Sequence, residues 1–103
     1  AYIQGFEILN VGGLSSITID NSRKEHDVFV RVVVHTVQGN FPVRQFYIPA
    51  FGSFTAKQLT PGEYEIRFQD LITGEMNKFA PHRLEERMTD AGQVIGQGYT
   101  VTL

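Results

Sequence analysis

The chain reads as an all-β protein, an antiparallel β-sandwich of about seven to eight short strands. Three observations predict it. Apolar and polar residues alternate with a period of two, most clearly at Tyr64, Ile66 and Phe68 against Glu65, Arg67 and Gln69. Turn formers such as Gly12-Gly13, Gln38-Gly39-Asn40, Pro61-Gly62, Thr73-Gly74 and Ala91-Gly92 punctuate the chain. The run Val28 to Thr36 is β-branched and apolar on both faces in its middle, as a central strand should be.

The elements follow in order. Tyr2 to Leu9 is a first strand or a linker, ended by Gly12-Gly13. Leu14 to Asp20 alternates, with Ile17 and Ile19 on one side. The polar loop Asn21 to Asp27 then leads into Val28–Thr36, so Ser15 to Thr36 predicts two antiparallel strands joined by a charged loop. Val43 to Ile48 is a strand preceded by Pro42, a residue suited to a strand start or an edge. Ser53 to Leu59 alternates Phe54, Ala56 and Gln58 against Ser53, Thr55 and Lys57. After the Pro61-Gly62 turn come Tyr64 to Gln69 and a short strand at Met76 to Phe79.

Pro81 to Asp90 has some helical spacing at Leu84, Arg87 and Met88, but it is too short for a stable isolated helix. With β-spacing on both sides, it is predicted as strand. Val94 to Leu103 is the last strand, with a bulge or bend at Gly96 and Gly98. The predicted core is Ile17, Ile19, Val30, Val32, Val34, Phe46, Ile48, Phe54, Leu59, Tyr64, Ile66, Phe68 and Val101. A fully buried Phe68 would cost roughly 3–5 kcal/mol when cut to Ala.

At 103 residues the chain is a single domain, 1–103, with 1–13 as linker or first strand. A composition of 42% hydrophobic and 19% charged residues is that of an ordered globular chain. Net charge is −2 and the pI about 5.9, so there is no basic field for nucleic acid. The absence of cysteine removes disulfides, thiolate metal sites and a Cys nucleophile. No apolar run approaches the roughly 20 residues of a membrane-spanning helix, so no direct membrane insertion is expected. A start at Ala1 without Met and an end on the strand-like Tyr99 to Leu103 suggest a piece of a larger protein. Periplasmic, cell-surface or extracellular settings are favoured, although the chain itself carries no address.

From Tyr47-Ile48-Pro49-Ala50-Phe51-Gly52-Ser53-Phe54 through Leu59-Thr60-Pro61-Gly62-Glu63-Tyr64-Glu65-Ile66-Arg67, the chain resembles the carboxypeptidase regulatory-like modules. These are transthyretin-related, and prealbumin-like and PEGA-type domains are their kin. The match covers roughly 43–70, about a quarter of the chain. The resemblance implies an immunoglobulin-like or prealbumin-like sandwich that serves as a non-catalytic accessory to a larger protein. Relatives with isopeptide crosslinks need a Lys on an early strand and an Asn or Asp on the last. Lys24, Lys57 and Lys78 and the final strand do not supply that pair. Starch-binding relatives use exposed Trp, and this chain has none.

Candidate chemistry is sparse. His26, His35 and His82 lack close ligand spacing and are expected to be solvated or edge side chains. Asp20, Asn21, Glu25 and Asp27 crowd one loop without an EF-hand pattern, which predicts a hairpin-turning loop. Gly52-Ser53-Phe54 is not a nucleophile elbow, and Glu85 and Glu86 on a strand would face opposite sides. No cofactor, metal or catalytic residue is nominated. Phe41, Tyr47, Phe51 and Tyr99 are the aromatics outside the predicted core. They are the candidate partner or ligand surface, against the plainer reading that they cap the ends of the sandwich.

The expected partners are therefore a protein, other domains of a parent protein, or a second copy in a homo-oligomer. A carbohydrate stacked on exposed aromatics is the alternative. Unpaired edge strands offer a second route to partners by β-augmentation.

Overall fold

The computed structural model describes Tyr2, Ile3, Gly5 and residues 8–103. Ten strands are present among them: β1 (Ser15–Asp20), β2 (Val28–Thr36), β3 (Gly39–Ile48), β4 (Ser53–Leu59), β5 (Gly62–Asp70), β6 (Met76–Lys78), β7 (His82–Leu84), β8 (Arg87–Met88), β9 (Val94–Ile95) and β10 (Gly98–Thr102). A five-stranded sheet runs β3-β2-β5-β6, with β7 also on β5, and a three-stranded sheet runs β10-β1-β4. β8 and β9 form a separate hairpin. The described residues hold no helix, and Pro81–Asp90 is extended, split between β7 and β8.

Alternation accounts for the strands. On β2, Val28, Val30, Val32 and Val34 are buried, opposite Phe46 and Ile48 of β3 and Tyr64, Ile66 and Phe68 of β5. Ile17 and Ile19 of β1, Ala56 and Leu59 of β4 and Val101 of β10 cover them from the second sheet. Phe54 and Phe68, predicted as core, are only partly buried because they sit near the open sides of the sandwich. There Phe54 packs against Phe46 and edge-to-face with Tyr2, and Phe68 packs against Phe79. Val28, Val33, Val43, Ala56 and Leu84 are buried although they were not nominated.

Pairing departs from the expectation in two places. β1 and β2 are not hydrogen-bonded to each other; they belong to different sheets, and the 21–27 loop crosses between them. β1 pairs instead with β4 and, in parallel, with β10, so the sandwich is not wholly antiparallel. Hydrophobic period reports which face a residue takes but not which strand lies alongside.

Irregularities fall where the chain changes course. Gln58, at φ 60, bulges β4 opposite Ser16, and this returns Leu59 to the core. A second shift in β3, on the edge of its sheet, accommodates Pro42. Val94–Leu103 breaks between β9 and β10 because Gly96 lies against backbone; a Cβ there would fall 2.2 Å from the Leu14 carbonyl oxygen. The first stretch contributes a bridge from Tyr2 to Phe46. Gln4, Phe6 and Glu7 of that stretch lie outside the described residues.

The Leu59–Phe68 motif now has a physical account. β4 and β5 lie in different sheets, so Thr60-Pro61 must carry the chain across the sandwich. Tyr64 is buried just after the crossing, and its hydroxyl donates back to the Thr60 carbonyl at 2.7 Å. This is a tyrosine corner: a phenol satisfied by the backbone it has just left, which holds the crossover angle.

Candidate functional site

Two loops that cross between the sheets, 21–27 and 49–52, meet the 71–75 hairpin loop between β5 and β6 at one end of the sandwich. Backbone bonds join them, Phe51 N–H donating to the Lys24 carbonyl at 3.0 Å and Leu71 N–H to the Asp27 carbonyl at 3.0 Å. Fully buried Asn21 donates through Nδ2 to the carbonyls of His26 and Pro49, so one amide ties two loops together. Asp27 accepts from the Tyr47 hydroxyl at 2.6 Å and from the Ala50 N–H at 2.7 Å. Those bonds, the Tyr47 hydroxyl first, hold its carboxyl below the usual carboxylate range and push the Tyr47 phenol up.

Asp70 is the third fastener. Its carboxylate accepts from the backbone of Ile72 and Thr73 and from His26 Nδ1 at 2.7 Å. The Thr73 N–H first, then His26, lower its pKa from 3.8 to about 2. A depressed carboxyl stabilises the fold fully above the unfolded pKa, and that contribution is lost as the proton is taken up between pH about 4 and about 2. Asp70→Asn should therefore flatten stability against pH in this window. Thermal midpoints measured from pH 5 to pH 2 will show it as a shallower fall than in the wild type.

Asn21, Asp27 and Asp70 are thus spent on structure, and beside the exposed charges of Arg23, Lys24, Glu25 and Glu75 this end also presents apolar side chains outward. In the turn Pro49–Gly52, closed by Gly52 N–H on the Pro49 carbonyl, Phe51 takes φ 63 and is 65% exposed. A positive φ at the third position of such a turn is normally Gly or Asn territory. Leu71 and Ile72, the latter 70% exposed, tip the neighbouring loop. Beside them a cleft of about 540 Å³ is lined by Asn21, Arg23, His26, Asp70, Glu75 and Leu103, with charges of both signs.

Of the nominated aromatics, Tyr47 and Phe51 come together at this end. Phe41 lies near the opposite end, on β3 next to the β2–β3 turn and across from Val34. Tyr99 on β10 stacks on His82 of β7 at 3.7 Å between ring centroids, closing one side of the sandwich. The histidines are apart as well: His26 on Asp70, His35 at 3.5 Å from Glu65, His82 on Tyr99. In the 20–27 loop, Asp20 accepts from the Ser22 N–H, and Asp27 is committed to Tyr47 and Ala50. Among the described residues no group of three His, Cys, Asp or Glu side chains gathers to hold a metal. Sequence reading missed Leu71 and Ile72, whose apolar character fits a strand end as well as a loop tip.

No family model, curated protein or solved structure matches this chain.

Proposed function

We propose that this domain is a non-catalytic interaction module that holds its 21–27, 49–52 and 71–75 loops as a preformed end for a protein partner. The observation that carries the reading is Phe51. A bulky, mostly exposed aromatic occupies a left-handed turn position that Gly would fill without strain, costing roughly 1–2 kcal/mol. Nothing in the turn itself asks for a phenyl ring. A partner pocket does, because aromatic anchors on rigid supports dominate binding energy at low entropic cost.

Leu71 and Ile72 would extend the contact, and the fasteners at Asn21, Asp27 and Asp70 supply the rigidity. The resemblance of 43–70 to carboxypeptidase regulatory-like accessory modules supports the same reading. A carbohydrate platform would draw on Tyr47, Phe51 and Tyr99 together, and the engagement of Tyr99 with His82, apart from the other two, favours the protein reading.

The test is affinity capture from the source cells with wild type and with Phe51→Gly/Ile72→Ser, both checked for folding by circular dichroism. Loss of specific bands with the folded double variant is expected. Identical capture by both proteins would remove the loop end from consideration.

A further inference from the structure

The outer face of the large sheet carries a feature the loop end does not use. Phe29 and Arg31 of β2 point away from the core and pair across to Tyr47 and Gln45 of β3 and to Gln69 and Arg67 of β5. Met76 and Lys78 of β6 continue these two rows. One row carries Tyr47, Phe29 and Met76, with Gln69 between the last two, and the next carries three cations, Arg31, Arg67 and Lys78, after Gln45. Behind the cations lies Glu65, buried and paired with Arg67, so the local balance is three positive against one negative.

A slot of about 160 Å³ opens between the rows, lined by Phe29, Arg31, Arg67, Phe68, Gln69 and Met76. Ligand pockets run to about 300–1,000 Å³, so this one suits a single side chain. Arg31 lies 5.7 Å from the centre of the Phe29 ring, and its Nε–H is buried with no hydrogen-bond partner among the described residues. The accessible guanidinium of Arg67 beside it is the donor an incoming carboxylate would meet.

The same chain carries the complement. The β8–β9 hairpin stands outside both sheets, with Met88 and Val94 directly opposite one another and both exposed, Met88 at 71%. The segment 85–94 has Glu85, Glu86 and Asp90 against Arg87 alone. It therefore offers an apolar pair in an acidic segment to a slot lined by Phe29 and Met76 together with Arg31 and Arg67. It is directed away from its own slot. β7 runs antiparallel to β5 and leaves the sheet at Leu84, opposite Gly62, so the chain continues away from Arg67. Gly62 to Arg67 alone spans about 17 Å of strand.

We propose that the β8–β9 hairpin of one molecule seats in the outer-face slot of another, joining copies of this chain head to tail. The contact is heterologous, so it extends into open chains rather than closing as a dimer. It rests on the interaction-module reading but uses different residues, so the two can fail separately. Loop-end variants such as Phe51→Gly/Ile72→Ser will leave self-association unchanged.

The experiment is light scattering across a hundredfold concentration range on three proteins: wild type, a face variant (Arg31→Glu/Lys78→Glu) and a hairpin variant (Glu85→Lys/Asp90→Lys). Lys78, Glu85 and Asp90 are exposed, and circular dichroism will confirm folding. The wild type should grow past dimer mass without a plateau, less so at high salt. Each reversed variant should associate at least about tenfold more weakly. An equimolar mixture of the two should regain association, because each reversed surface then meets its opposite. Lys78→Glu alone covers the case in which Arg31→Glu misfolds, with the same weakening expected. A wild type that stays monomeric, growth indifferent to both reversals, or a mixture without recovery overturns the proposal.

Discussion

Arg44→Met should lower stability by about 3–5 kcal/mol, read as a fall in the urea midpoint with unchanged slope. Arg44 is only 1% exposed, which is unusual for an arginine. Its guanidinium donates to the carbonyls of Val43 at 2.8 Å, Lys57 at 3.2 Å and Leu9. These carbonyls belong to the edge strand β3, to β4 of the opposite sheet and to the segment preceding β1. One planar fork thus fastens three pieces of chain where two sheet edges meet. Met fills similar space but removes all three charge-assisted bonds at once, although the Val43 carbonyl keeps the Leu9 N–H as a donor. Arg44→Lys should recover only part of the loss, because an ammonium cannot reproduce the fork.

Phe46→Ala should cost about 3–5 kcal/mol as well, by a different mechanism. Phe46 has no exposed surface, and its ring packs 4.5 Å from that of Phe54 and 6.0 Å from that of Tyr2, centre to centre. Removing it opens a cavity in the layer between β3 and β4 that a rigid core closes only in part. Phe54→Ala should cost less, because that ring is partly exposed. The double variant should cost less than the sum, since the two rings stabilise each other. Equilibrium urea unfolding of the four proteins completes the cycle. Phe68→Ala falls in the milder class too, since Phe68 is half-buried rather than sealed in the core.

What the sequence made legible follows from what a period of two encodes. Val30, Val32 and Val34, or Tyr64 and Ile66, announce both a strand and its buried face. The Pro61-Gly62 corner announces a change of direction. Pairing is another matter: nothing in Ile17 or Ile19 says that β10 lies alongside in parallel while β2 lies in the other sheet. Arg44 was illegible because arginine ordinarily marks solvent, and only the meeting of two sheet edges with an incoming segment makes its burial favourable. Val33 was hidden for a related reason. It alternates with the inward valines, yet it is 2% exposed, flanked by Pro42 of β3 and buried Glu65 of β5. Of the site, Tyr47 and Phe51 were visible as aromatics outside the alternating pattern. Phe41 and Tyr99 shared that signature but were separated from them by topology, and Leu71 and Ile72 were masked because β5 ends at Asp70, two residues earlier than their character suggests.

Phe51 decides between a presented anchor and a structural cap. The most direct measurement is the urea unfolding free energy of Phe51→Gly against wild type. Gly relieves the left-handed backbone at a modest entropic cost, so an anchor predicts stability unchanged or raised by up to about 1 kcal/mol. A cap that packs on the sandwich end predicts the reverse. A loss of more than about 1 kcal/mol would contradict the account and return Phe51 to the fold.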